Sequence, residues 1–224
     1  MFKKLSLGLF VGLAFTGQTF AKTYNNAPYK GGGEDVFVSA SIGTASHTFG
    51  NDENSEALKA NEISYGLDLD YRISKYFSLG LGYVNFGEAE QLSEVDTVGD
   101  VTEAYSLMTA GSGVTAHLTW HTDTRDGPWY FFMRFGKIQW DVELISEVNV
   151  TGGATFFERE TVTIDGSDSF TSFGGGYYFT DQIRVGLKMN YFNMSYDLVD
   201  PEDNTSESLR NGFDQTALTV TYSF

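Results

Sequence analysis

Apolar residues recur at every second position, in one segment after another, along most of this chain. Ile63, Tyr65, Leu67, Leu69, Tyr71 and Ile73 alternate with Ser64, Gly66, Asp68, Asp70 and Arg72. Phe77, Leu79, Leu81 and Tyr83 alternate with Ser78, Gly80 and Gly82. Val114, Ala116, Leu118 and Trp120 do so against Thr115, His117, Thr119 and His121, and Ile183, Val185, Leu187, Met189 and Tyr191 against Arg184, Gly186, Lys188 and Asn190. Thr216, Leu218, Val220, Tyr222 and Phe224 close the chain in the same way. A period of two puts one set of side chains on each face of a β-strand and excludes a helical fold. Eight such segments span about 36–44, 62–73, 76–86, 113–122, 128–140, 169–179, 182–192 and 212–224.

Alternation fits a soluble barrel with its apolar face inward, or a membrane barrel with that face outward. Composition decides between them. The polar face carries Ser64, Gly66, Ser78, Gly80, Gly82, Thr115, Thr119, Ser172, Gly174 and Gly176. Small side chains suit the crowded inside of a narrow barrel, whereas a solvated exterior favours Lys and Glu. Tyr71, Phe77, Trp120, Trp129, Tyr177, Phe179 and Tyr222 gather at short-turn or terminal ends, as an interfacial aromatic girdle does. Short connections (74–75, 123–127, 180–181) alternate with long ones at about 45–61, 87–112, 141–168 and 193–211. The fold expected is all-β: a transmembrane eight-stranded antiparallel up-and-down β-barrel. In the fifth strand the apolar phase switches above Gly136 to Ile138, Trp140 and Val142, which a β-bulge or the membrane rim accounts for.

The N-terminus reads as an export signal over 1–21. Lys3 and Lys4 precede an apolar run from Leu5 to Phe15, and Thr19-Phe20-Ala21 has the small residues of a cleavage site. Residues 22–34, with Gly31-Gly32-Gly33, form a flexible lead-in, and 35–224 form the barrel. The mature chain would hold 12 Lys plus Arg against 30 Asp plus Glu, a balance opposed to nucleic-acid binding. The four long connections hold 21 of those acids and three bases, so the barrel itself is neutral by count. With no cysteine, disulfides and thiol chemistry are excluded.

The C-terminal run Ala217 to Phe224, with Leu218, Val220, Tyr222 and Phe224 in alternation, resembles the β-signal read by the outer-membrane assembly machinery. The stretches Tyr65-Gly66-Leu67 through Leu81-Gly82-Tyr83-Val84-Asn85-Phe86-Gly87, and Ser172-Phe173-Gly174-Gly175-Gly176-Tyr177, are similar to OmpA-type eight-stranded barrels. The resemblance implies a Gram-negative outer-membrane location, a monomer, contact with outer-membrane lipid and lipopolysaccharide, and long connections facing outside. It also implies that the periplasmic peptidoglycan-binding domain of full-length members is missing after Phe224.

Chemistry is sparse. Asp68, Asp70, Arg72, Arg134, Arg184 and Lys188 point inward and are expected to pair, since a lone buried charge is costly. They form a salt-bridged plug or, alternatively, gate a pore for ions or small solutes. His117 and His121 lie about 13 Å apart at strand rise, too far to share a metal. Neither triple-glycine run opens a phosphate loop, and no nucleophile–base pair stands out. No metal, cofactor or enzymatic activity is expected, a lipid-modifying enzyme being the remotest reading. The function expected is structural or one of surface interaction, through acidic loops that meet divalent cations or a basic partner.

Overall fold

The structure is a computed structural model and describes residues 36–50, 58–122, 128–152, 155–180, 182–199 and 206–224. The expected signal and lead-in lie outside the described residues. Eight strands follow in order: β1 (Val36–Gly50), β2 (Leu58–Arg72), β3 (Phe77–Val98), β4 (Val101–His121), β5 (Trp129–Thr151), β6 (Phe156–Tyr178), β7 (Ile183–Val199) and β8 (Ser206–Ser223). Each pairs antiparallel with its neighbour in sequence, and β8 returns to β1 to close the ring. Closure leaves no strand edge in the lower barrel, and a segment crossing lipid can satisfy its backbone in no other all-β way. The architecture is the one that the resemblance to OmpA-type barrels implies.

The two short hairpins β2–β3 and β6–β7 share one device. Ser74 Oγ accepts the N–H groups of Tyr76 and Phe77 at 3.3 and 3.1 Å, and Thr180 Oγ1 accepts those of Gln182 and Ile183 at 3.2 and 2.9 Å. A hydroxyl two or three residues before the returning strand fixes each turn.

Side chains show which face meets lipid. Ile63, Leu67, Leu81, Val114, Phe131 and Leu187 stand outward and are more than half exposed, while Ser64, Asp68, Asp70, Thr115, Thr119 and Lys188 are buried inside. The apolar run from Ile63 on β2 to Ile73 just after it, tilted as barrel strands are, covers about 25 Å of height, the thickness of an outer-membrane apolar band. The chain is therefore a transmembrane barrel.

Above that band the faces exchange character. On β5 the even-numbered residues from Tyr130 to Val142 stay inside, and the ladders to β4 and β6 run without a register shift. The inside changes from Arg134 to Ile138, Trp140 and Val142, and the outside changes from Met133 and Phe135 to Lys137, Gln139 and Asp141. There is no bulge at Gly136; the phase change marks the membrane rim.

The strands also run far beyond the rim. Residues 87–112 and 141–168, expected as loops, are mostly β-ladder: β3 pairs with β4 up to Val98↔Val101, and β5 with β6 up to Val150↔Phe156. The connections expected at 45–61 and 193–211 likewise shrink to 51–57 and 200–205, which lie outside the described residues. Val95, Thr97, Val98, Val101, Thr102, Val148, Val150 and Thr151 retain strand propensity there. Alternation disappears because water, not lipid, meets the outer face.

The ring opens above the rim. The β2–β3 ladder stops at Tyr65↔Asn85 and the β6–β7 ladder at Phe170↔Phe192. One outer lobe consists of β3 to β6, and the other of β7, β8, β1 and β2. Polar side chains take up backbone N–H groups where the ladders part. Glu62 Oε1 accepts Ile63 N–H at 2.8 Å, Asn85 Oδ1 accepts Gly87 N–H at 3.0 Å, and Asp168 Oδ2 accepts Ser195 N–H at 3.3 Å.

Gly87 sits at a bulge with φ 82°, and a Cβ there would lie 2.6 Å from the Ile63 carbonyl oxygen. Gly99, in the tight β3–β4 turn with φ 64°, has open space around it. Gly87→Ala should cost about 1–3 kcal/mol in urea titrations of the lipid-refolded barrel. Gly99→Asn, which tolerates the left-handed region, should stay within about 0.5 kcal/mol of the parent.

Candidate functional site

The lower interior is built around one arginine. Arg134 reaches from β5 across the lumen, with Nη1 donating to Asp68 Oδ1 at 2.9 Å and Nη2 to Asp70 Oδ2 at 3.1 Å. Lys188 Nζ on β7 donates to the other oxygen of Asp68 at 2.9 Å. His117 Nε2 on β4 meets Asp70 Oδ1 at 3.0 Å, and Arg134 Nε donates to Thr119 Oγ1 at 3.2 Å. All of these side chains are buried. Asp70 and His117 sit two strands apart with Gly80 in register between them, and Gly82 lies likewise between Asp68 and Thr115. A Cβ on either glycine would collide with the network, so the glycines of β3 leave its space.

The structure brings together four of the six inward charges named from the sequence: Asp68, Asp70, Arg134 and Lys188. Arg72 and Arg184 face inward nearer the short-turn end, each with its guanidinium carbon 4.8 Å from the centre of the Phe37 ring. Arg184 also lies over Tyr130 and donates to Tyr178 Oη at 3.4 Å. His117 was missed as a network member. The signal for it was an inward histidine opposite a glycine whose other neighbour is an inward aspartate.

The space left here is a cavity of about 30 Å³, bordered by Ser39, Asp68, His121, Arg134, Arg184 and Lys188. Each water needs about 10–15 Å³ on this measure, so the cavity holds roughly two waters. Above it Asn190 Nδ2 donates to Gln215 Oε1, and Gln215 Nε2 donates to Ser64 Oγ at 2.9 Å. Higher still, Phe86, Trp140, Phe170, Phe192, Met194 and Phe213 form an apolar cluster across the lumen. His47 lies at this level, with Nε2 donating to the Phe86 carbonyl at 2.9 Å and Nδ1 accepting from Thr109 Oγ1 at 3.0 Å. The lumen of the described barrel is thus filled by a polar layer and an apolar layer.

His117 and Asp70 have the pairing of a general-base dyad, but Nδ1 of His117 meets no hydrogen-bond partner and the pair is enclosed in the barrel. Among the described residues no three His, Asp or Glu side chains are placed to hold a metal ion.

Tyr71, Phe77, Trp120, Trp129, Tyr177, Phe179 and Tyr222 all stand exposed on the outer surface near the short turns. Trp129 meets Tyr177 edge-on at 5.2 Å, and Tyr177 meets Phe179 at 5.4 Å. Leu218, Val220, Tyr222 and Phe224 also face outward, and the Phe224 N–H donates to the Val36 carbonyl at 3.0 Å.

The geometry defines a membrane-spanning β-barrel protein with a filled lumen and a tall two-lobed outer part. No family model and no curated protein matches the chain. Among solved structures it is similar to the outer membrane protein OprG of Pseudomonas aeruginosa, at 10% identity over 85% of this chain and 96% of that one, with a TM-score of 0.45. It is also similar to the attachment invasion locus protein Ail of Yersinia pestis, at 8% identity over 83% and 98% of the two chains, with a TM-score of 0.42. A third is Neisserial surface protein A, at 16% identity over 84% and 97%, with a TM-score of 0.41. At such identities the likeness concerns the fold alone.

Arg134→Met strands Asp70 without its arginine and should cost about 3–5 kcal/mol in urea unfolding. Adding Asp70→Asn removes the unpaired charge, while Asp68 keeps Lys188. The double variant should recover most of the loss.

Proposed function

We propose that the protein is an exported outer-membrane barrel that acts at the cell surface, its acidic outer lobe holding cationic partners. The observation that carries this reading is the partition of charge. Residues 87–112 and 141–168, which belong to β3–β6 and their connections, contain 13 acids and one base, whereas residues 22–44, 62–86, 113–140, 169–192 and 212–224 together hold nine acids and nine bases. Glu88, Glu90, Glu94, Asp96, Glu158 and Glu160 are all exposed. Acids gathered on one projecting sheet create a field that attracts cations and repels other anions. Divalent cations bridging to lipopolysaccharide and basic surfaces of other proteins are the partners such a field favours. The pattern of residues 1–21 supports export, the alternation over Ala217 to Phe224 supports recognition by the assembly machinery, and the closed ring supports a monomer.

A second reading, an ion or small-solute conduit, starts from the charges inside the barrel. It requires the Asp68–Arg134–Asp70 cluster to part and the apolar layer of Phe86, Phe192 and Phe213 to move with it. The filled lumen makes it the weaker reading.

Oligolysine and calcium-loaded lipopolysaccharide vesicles should bind the refolded barrel, more weakly as salt rises. Converting the six exposed acids above to their amides should reduce both by about tenfold or more; unchanged binding would reject the reading. In planar bilayers the parent and Arg134→Ala should both be silent. Single-channel steps altered by Arg134→Ala would favour the conduit.

A further inference from the structure

Both sides of the outer lobe β3–β6 end in strands that lack a partner above the rim, but the two edges differ. The β3 edge is broken by register shifts at Asn85/Gly87 and Glu90/Leu92. Bulges of this kind, together with Glu88, Glu90, Glu94 and Asp96, are the devices by which sheets keep other strands from adding. The β6 edge has no such break. Its ladder with β5 runs from Val150↔Phe156 to Trp129↔Tyr177 without a shift. Above Phe170 it has no strand neighbour on its other side among the described residues, and Asp168, which accepts the Ser195 N–H, marks the foot of the free edge. Residues 156–167 therefore offer about 40 Å of unbroken strand whose other edge has no strand partner among the described residues.

This edge also carries side chains that a water-facing strand does not need. Phe156 and Phe157 are 52% and 60% exposed and Val162 is 55% exposed. Phe156 and Phe157 lie about 35 Å, and Val162 about 20 Å, beyond the rim at Gly136, outside the reach of the membrane's apolar layer. The β3 edge exposes the aliphatic Val95 and Val98, whereas the two exposed aromatic side chains belong to β6. One face of the strand reads Phe156, Glu158, Glu160, Val162. The one base, Arg159, is already paired with Glu147 at 2.8 Å.

We propose that the β6 edge above Asp168 captures an extended basic polypeptide segment by strand addition. The added strand would form main-chain hydrogen bonds to residues 156–167, place Lys or Arg opposite Glu158 and Glu160 on one face, and rest apolar side chains on Phe157 on the other. This deepens the surface reading above and rests on it, but adds backbone pairing to charge. A second copy of this chain is a poor occupant, because its own β6 edge would set acid against acid.

The test uses the full chain refolded in lipid vesicles and a twelve-residue peptide of alternating Lys and Val. A twin peptide carries N-methyl groups on alternate backbone amides, which keeps the charge but removes pairing. The unmodified peptide should bind and slow amide exchange over 156–167. The twin should bind about tenfold more weakly or worse, since several main-chain hydrogen bonds are lost. Phe157→Ser and the pair Glu158→Gln with Glu160→Gln, all at exposed positions, should weaken the unmodified peptide. The pair Glu94→Gln with Asp96→Asn on β3 should leave it little changed. Equal binding of the two peptides, with the salt dependence intact, would overturn strand addition and leave the charge reading standing. No binding of either peptide or of oligolysine would overturn both. Protection of 156–167 by concentration-dependent dimers, without competition from the peptide, would assign the edge to a second copy and reject the proposal.

Discussion

Every backbone N–H and C=O that crosses the membrane must find a partner within the protein, because lipid offers none. The closed ladder from β1 to β8 and back to β1 answers that requirement. The requirement ends at the rim, where water can serve, and the ring opens there. The β2–β3 and β6–β7 ladders are the two that stop, at Tyr65↔Asn85 and Phe170↔Phe192. Glu62, Asn85 and Asp168 take up backbone N–H groups just where pairing ceases. The two-lobed outer part is thus what a barrel becomes when its solvent changes along the strand.

The same change of solvent inverts the side chains. Within the membrane the apolar residues face out and the lumen holds Asp68, Asp70, Arg134 and Lys188. Beyond it the lumen holds Trp140, Phe170, Phe192 and Phe213, and the outside carries Lys137, Gln139 and Asp141. The upper part is organised like a water-soluble sheet protein, with its apolar core inside. Two chemically different fillings follow from one continuous set of strands. Among the described residues the polar layer encloses a cavity of about 30 Å³, bordered by Asp68, Arg134 and Lys188.

How much of this could be read from the sequence depended on that boundary. Where lipid met one face, alternation was strong, and the strand count, the facing of Ile63 to Ile73 and the girdle of Trp120, Trp129 and Tyr177 were legible. The inward charges were legible for the same reason: Asp68 and Asp70 fall between apolar neighbours. Farther out, past the apolar cluster, both faces meet water and neither has a fixed chemistry, so β3 and β4 around Val98 and Val101 read as loop although their β-branched residues keep them extended. The switch at Trp140 was visible as a change of phase, and the unbroken β5 ladder resolves it as the rim. Partnership within the lumen was the least legible. Asp70, Gly80 and His117 belong to three strands, and only their register shows that the glycine brings the other two side chains together.

Charge separates the two halves of the molecule more sharply than shape does. Inside the membrane a charge cannot rely on water, so Arg134 is held by two carboxylates and Asp68 by two cations, and the geometry is committed to closure. On the outer lobe most carboxylates are solvated and cost little, so acids can accumulate there with few partners. Their number is then free of folding constraints. The bulges that blunt the β3 edge and the regular β6 edge are likewise not required by the barrel below. An asymmetry that the fold does not demand is where selection for a partner can act, whereas the buried network is tied to the geometry that packs the lumen.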